Sequence, residues 1–152
     1  PQKYRDDTFA YAVLIVERKI ESCKKVYDDC MRHLRDLLKI PKMSWKYVYN
    51  PQESKKAIDF LEMLPDVKTG KTYPLANFQR FIIGNIYGWR HKKDNALRRF
   101  KRAFISVARK NGKTILIAGI VLYEFLFGKN PAMHYAQNML RSKRQQSACE
   151  TS

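Results

Sequence analysis

Acidic residues are scarce in this sequence. Fourteen Asp and Glu stand against 30 Lys and Arg in 152 residues, a formal net charge of +16. That imbalance disfavours cationic partners and favours polyanions such as nucleic acid, nucleotide or an acidic membrane surface. Cysteine is nearly absent, with three residues. Cys23 and Cys30 lie seven apart, which places them on one face of a helix and at no familiar zinc spacing. They read as reduced thiols of a cytosolic protein that pack rather than ligate. Long hydrophobic runs are also missing. The longest, Ile115 to Phe127, is interrupted by Tyr123 and Glu124 and falls short of the ~20 residues that cross a bilayer. The opening stretch from Gln2 to Thr8 is polar and charged, unlike a signal peptide. The expectation is a soluble, intracellular protein with no membrane partner. No internal repeat is visible, and a content of 45% hydrophobic and 12% aromatic residues suits one compact domain.

Helical periodicity dominates the first half. Asp6-Asp7-Thr8 can cap a helix carrying Phe9, Val13, Val16 and Ile20, and Val26, Cys30, Leu34, Leu37 and Leu38 continue the period to Pro41. The two stretches fit either separate helices or one kinked helix. Met43 to Tyr49 is aromatic and partly alternating, as in an extended connection. Glu53 to Leu64 reads as a third helix ended by Pro65, 66–74 as a loop, and Leu75 to Gly88 as a fourth helix. A basic run follows, Arg90 to Arg102, opposed only by Asp94. It leads into Ala103-Phe104-Ile105-Ser106-Val107, whose near-continuous apolar character predicts a buried strand. Ile115 to Phe127, apolar on every face, predicts a wholly buried helix. Met133 to Ser152 is polar and is expected to be poorly ordered or weakly helical.

Gly-Lys-Thr occurs twice, at Gly70-Lys71-Thr72 and Gly112-Lys113-Thr114, so the triplet alone carries little. A phosphate loop needs a strand ending behind it and a helix starting at its Lys-Thr, so that backbone N–H groups and the positive helix end converge on the anion. At Gly70 this fails, because Tyr73-Pro74 follows at once and no apolar strand precedes. At Gly112, residues 104–107 supply the strand, Ala108-Arg109-Lys110-Asn111 the turn, and Lys113 to Phe127 the helix. Lys113 would reach the β- and γ-phosphates and the Thr114 hydroxyl would ligate Mg²⁺. Arg109 and Lys110 beside a helix N-terminus are unfavourable unless an anion sits there, and a triphosphate is the natural one. The standard pattern places Gly five residues before Gly112, where this chain has Val107. The competing reading is a basic turn between strand and core helix with no ligand.

The segment Ala108 to Thr114, followed by Leu116, Ala118-Gly119-Ile120 and Leu122-Tyr123, resembles the deviant Walker A region of tailed-phage terminase large subunits. The resemblance extends upstream through Ala57 to Pro65, Phe78 to Gly84, Tyr87-Gly88-Trp89 and Arg98-Arg99-Phe100, and to Cys30 and Arg32 to Leu37. It covers roughly residues 5 to 131. It implies an α/β fold: a helical N-terminal region over residues 1–74, the start of a P-loop ATPase domain over 75–131 with an incomplete sheet, and a divergent tail over 132–152. It also implies ATP and Mg²⁺ as ligands and a non-glycine loop start, which accounts for Val107. Arg109 matches a loop arginine that senses the γ-phosphate. Gln79 resembles an adenine-reading glutamine whose amide pairs with N6 and N7. Phe78 is its aromatic neighbour, with core packing against Phe81 and Ile82 as the other reading.

The resemblance further implies an ATPase motor that packages double-stranded viral DNA in the bacterial cytoplasm with a small terminase subunit and a portal protein, in the full-length family as a homo-oligomeric ring. Hydrolysis needs a carboxylate pair after a second strand, yet after Thr114 only Glu124 and Glu150 are acidic, so the Walker B element is missing. Nothing supplies the clustered acidic ligands of a nuclease. The likeness fades at Asn130-Pro131-Ala132, and the expectation is a truncated chain with a frameshifted tail. The alternatives are a non-enzymatic module whose basic run Arg90 to Arg102 contacts nucleic-acid phosphates, or an inactive prophage remnant.

Overall fold

A computed structural model describes residues 2–65, 70–72, 74–108 and 110–128. The expected tail over 132–152 lies outside them. The described residues hold a mixed α/β arrangement of five α-helices and a two-stranded antiparallel sheet. In order these are a 3-10 turn Gln2–Tyr4, α1 Asp7–Val16, α2 Lys24–Lys39, β1 Tyr47–Tyr49, α3 Pro51–Met63, α4 Asn77–Gly88, β2 Trp89–His91 and α5 Lys113–Phe127. The chain forms two compact units, 1–108 and 109–152. The helix beginning at Asn77, which the resemblance groups with the phosphate loop, lies in the first of these units.

In the first unit the helix starts follow local chemistry. Asp6 accepts the Phe9 N–H at 2.9 Å and so satisfies one of the amides that α1 leaves open. Asn50 accepts the Gln52 N–H at 3.0 Å, with Pro51 opening α3. The first two helices are separate, because the chain turns after α1 through Arg18 at φ 56°.

α4 packs against both α1 and α3, and Gly84 makes that approach close. A Cβ there would collide with Thr8 Oγ1 and stand 2.8 Å from Ser54 Oγ. One apolar cluster joins Ala12, Ile15, Cys30 and Phe81. A second joins Leu37, Ile40, Tyr49 and Trp89, where Tyr49 pairs with Trp89 across the two strands.

Between the clusters sits His33, fully buried. Its Nδ1 lies 3.1 Å from Asn85 Oδ1 and receives the Trp89 indole N–H at 3.2 Å. Asn85 Nδ2 donates to Phe81 O, which turns Oδ1 toward the imidazole. A single ring nitrogen cannot donate to Asn85 and accept from Trp89 at once. Nε2 is buried without a hydrogen-bond partner among the described residues. Burial pushes the imidazole pKa down to about 4, against a smaller upward pull from the Asn85 hydrogen bond.

The basic run is partly internal. β2 pairs with β1 in the register Val48↔Arg90, and its other edge exchanges Arg99 N–H with Trp89 O and His91 N–H with Leu97 O. Arg90 donates to Tyr87 O, Ala96 O and Glu53 Oε2. Lys92 Nζ donates to Ile40 O and Lys42 O. Arg99 contacts Asp36 Oδ2 at 2.7 Å and lies over the rings of Trp45, Tyr47, Trp89 and Phe100. Burial alone would raise the Asp36 pKa, but the bonds from Lys39 and Arg99 outweigh it and hold the carboxyl below its usual range.

Two expectations are corrected. Residues 103–107 form no strand, and Phe104 is 94% exposed. A lone extended segment has no ladder partner to satisfy its amides, and the only strands among the described residues are β1 and β2. The helix from Lys113 to Phe127 forms at the expected residues but is not wholly buried. Leu116 and Gly119 are buried, whereas Ile117, Val121, Leu122, Leu126 and Phe127 are exposed. Apolar composition on all faces marks what a helix could bury, not what it packs against. No helix among the described residues is long and apolar enough to cross a membrane.

Candidate nucleotide-binding site

The backbone from Lys110 to Thr114 turns tightly into α5. Lys110 has φ 68° and Gly112 has φ 69°. The left-handed region is open to glycine but costs roughly 1 kcal/mol or more at a lysine, so the turn holds Lys110 where its own preference would not. Backbone alternating through this region gathers successive N–H groups into a concave anion cradle. Gly112 is the residue before α5 and supplies no side-chain cap, and the first turn of the helix holds no acidic residue. Leu116 is the first amide to bond back, to Gly112 O at 3.0 Å. Helix geometry leaves the N–H groups of Lys113, Thr114 and Ile115 outside the internal ladder. An N-terminus with open donors, a positive dipole end and no acid of its own is chemically suited to an anion.

Lys113 and Thr114 are exposed at this opening, as are Ala108, Lys110 and Asn111. Arg109 lies outside the described residues. The described part of the loop therefore offers open amides, cations on long stems at Lys110 and Lys113 and one hydroxyl at Thr114. Among the described residues no cluster of three or more His, Cys, Asp or Glu could hold a metal. A divalent ion here would draw on the Thr114 hydroxyl and on oxygens of its ligand.

At the other Gly-Lys-Thr, Gly70 also has positive φ, but Thr72 bridges back to Pro65, and among the described residues no helix begins between Thr72 and Asn77.

Gln79 and Phe78 belong to the first unit, in the first turn of α4. Gln79 is 1% exposed, and its Oε1 accepts the Ala76 N–H at 2.9 Å. That bond is the N3 half of a capping box. Phe78 is half-buried.

Sequence reasoning locates the loop but misses the left-handed backbone at Lys110. Lysine is not a residue that signals that conformation.

A family model described as the terminase large subunit, ATPase domain, matches residues 77–149. No curated protein and no solved structure matches the chain. The matched stretch opens on the first residue of α4 and passes through β2, the loop and α5. It runs on to 149, past the point at 130–132 where the likeness was expected to end. Together with the loop geometry, the match makes the segment 77–149 similar to the ATPase domain of terminase large subunits.

Proposed function

We propose that the chain binds ATP with Mg²⁺ at residues 108–114, as the nucleotide-binding part of a motor that packages double-stranded viral DNA. The observation that carries this reading is the pair of left-handed residues, Lys110 and Gly112, opening an uncapped helix N-terminus within the family segment.

The amides of Lys113 to Ile115 would receive phosphate oxygens along the helix axis. The Lys113 ammonium, exposed at the same turn, would neutralise the β- and γ-phosphates, with Arg109 and Lys110 adding positive potential. Thr114 would hold Mg²⁺, which supplies charge neutralisation across the phosphates when bound. The small terminase subunit, the portal protein and a ring of like subunits are the partners that this reading carries with it, and the bacterial cytoplasm is its location.

Titration of the full chain with a non-hydrolysable ATP analogue and Mg²⁺ tests the reading. Saturable binding is expected, weakening at least about tenfold in Gly112→Val, since a β-branched residue disfavours positive φ and blocks the cradle. Equal binding by Gly112→Val would contradict it.

A further inference from the structure

Within the first unit, Arg99 has the surroundings of a bound ligand. Its guanidinium carbon lies 5.0 Å from the ring centroid of Trp45, 4.8 Å from Tyr47, 5.1 Å from Trp89 and 4.8 Å from Phe100. The side chain is 15% exposed and meets Asp36 Oδ2 at 2.7 Å, where Asp36 is 3% exposed. We propose that these four rings over the Asp36 carboxylate form a guanidinium-binding site. The chain fills it from within with Arg99, and it accepts a free alkylguanidinium once that side chain is removed.

The walls are held by contacts other than those to their occupant. Tyr47 and Trp89 are carried by the paired strands β1 and β2. Tyr47 also meets the ring of His91 at 4.8 Å and that of Trp45 at 5.4 Å, while Trp89 meets Tyr49 at 5.4 Å. Phe100 is covered by the Arg32 guanidinium at 5.1 Å. The main chain of Arg99 is fixed to β2 by its N–H on Trp89 O at 3.0 Å, and its neighbour Arg98 bridges to Arg90. Truncation at Cβ would therefore leave an opening shaped like the missing group, an ethylguanidinium, because packed surroundings collapse only in part.

The same carboxylate shows how an ammonium fares here. Lys39 reaches Asp36 Oδ1 at 2.9 Å and lies 4.8 Å from the Trp45 ring centroid, yet its side chain is 44% exposed. The lysine stays at the rim in reach of water, and the guanidinium takes the interior. An ammonium holds its water tightly, whereas a guanidinium is weakly hydrated and stacks its planar faces on rings. Without Arg99, Asp36 Oδ2 is a buried anionic oxygen that has lost its cation, which favours uptake of another. The ligand class is thus a planar monovalent cation, as on an arginine side chain.

The test is thermal melting of the full chain followed by tryptophan fluorescence, which reports the first unit because Trp45 and Trp89 both lie in it. Ethylguanidinium chloride, ethylammonium chloride and sodium chloride are titrated through the millimolar range at matched ionic strength. Arg99→Ala should melt below wild type and regain roughly 3 °C or more as ethylguanidinium saturates it. Ethylammonium should give a smaller rise and sodium chloride none. Wild type has its site filled, and Arg99→Ala combined with Asp36→Asn lacks the charge beneath the rings. Neither should gain from ethylguanidinium. A rise that is absent, that ethylammonium matches, or that persists with Asp36→Asn overturns the proposal. If Arg99→Ala is recovered unfolded, refolding it in each additive makes the same comparison. Native fluorescence regained in ethylguanidinium alone supports the site; regained in ethylammonium as well, or in none, it overturns the proposal.

Discussion

His33 makes the stability of the first unit depend on pH in a calculable way. Its folded pKa is about 4 against an ordinary value of 6.5, so the unfolded chain binds the proton more readily. The neutral imidazole is therefore compatible with the fold above 6.5, and stability falls as pH drops from there toward 4. A tenfold difference in proton affinity between the folded and unfolded chain is worth ~1.4 kcal/mol. Between pH 7.5 and pH 5 the linkage integral comes to about 2 kcal/mol of lost stability. The geometry gives the same sign, since a proton on each nitrogen would turn Nδ1 against the Trp89 N–H and leave an Nε2–H buried without an acceptor. The groups facing His33 are Asp36 and Arg32 of α2, Asn85 of α4, Arg99 after β2 and the rings of Tyr49, Phe81 and Trp89. Asp36 titrates from an ordinary value of 3.8 downward, so it does not contribute in this window. The assay is urea denaturation at the two pH values followed by tryptophan fluorescence. Both tryptophans of the chain, Trp45 and Trp89, lie in the first unit. Wild type should lose about 2 kcal/mol more than His33→Gln over this interval. The same pH slope in both proteins would refute the reasoning.

Three further perturbations probe the packing. Arg99→Ala should destabilise the first unit by about 3 kcal/mol, because it leaves the buried Asp36 carboxylate with Lys39 alone; in the same denaturation assay, adding Asp36→Asn should recover part of the loss. Gly84→Ala should cost at least ~2 kcal/mol by forcing a methyl onto Thr8, and Thr8→Ala in the same chain should relieve part of it. Burial pushes the Cys30 thiol up to about 12, while Cys23 is exposed. Alkylation read by peptide mass spectrometry should therefore label Cys23 in the folded chain and Cys30 only with unfolding.

Helices were legible where an amphipathic period met a clear stop. α2 ends beside Pro41 as expected, whereas α3 begins at Pro51, two residues before the expected Glu53, because Asn50 caps it and proline fits a first helical turn. β2 was hidden because its central residue is Arg90, a charge that reads as solvated until Glu53 and two carbonyls are found around it. Arg99 was hidden for the same reason, since neither Asp36 nor most of the rings around it adjoin it in sequence. Residues 103–107 show the opposite failure: apolar content predicts a strand, but a strand exists only with a neighbour to pair. At the loop, the start of α5 at Lys113 was readable from the apolar run that follows the triplet, although the strand expected behind it does not form, whereas the positive φ of Lys110 is set by the turn and leaves no mark on residue type. Gln79 reads equally well as a helix cap or a base reader, because one amide serves both; in the structure it is buried and its Oε1 accepts the Ala76 N–H.

The central claim is that residues 108–114 hold a nucleoside triphosphate through open helix amides and the Lys113 charge. The most direct measurement is the affinity of the full chain for a non-hydrolysable ATP analogue with Mg²⁺, in wild type and Lys113→Ala. Wild type should bind saturably, and the variant should bind about tenfold or more weakly, as befits removal of a cation from phosphate contact, with the tryptophan-monitored stability of the first unit unchanged. Binding of equal strength in both proteins, or in neither, would contradict the claim.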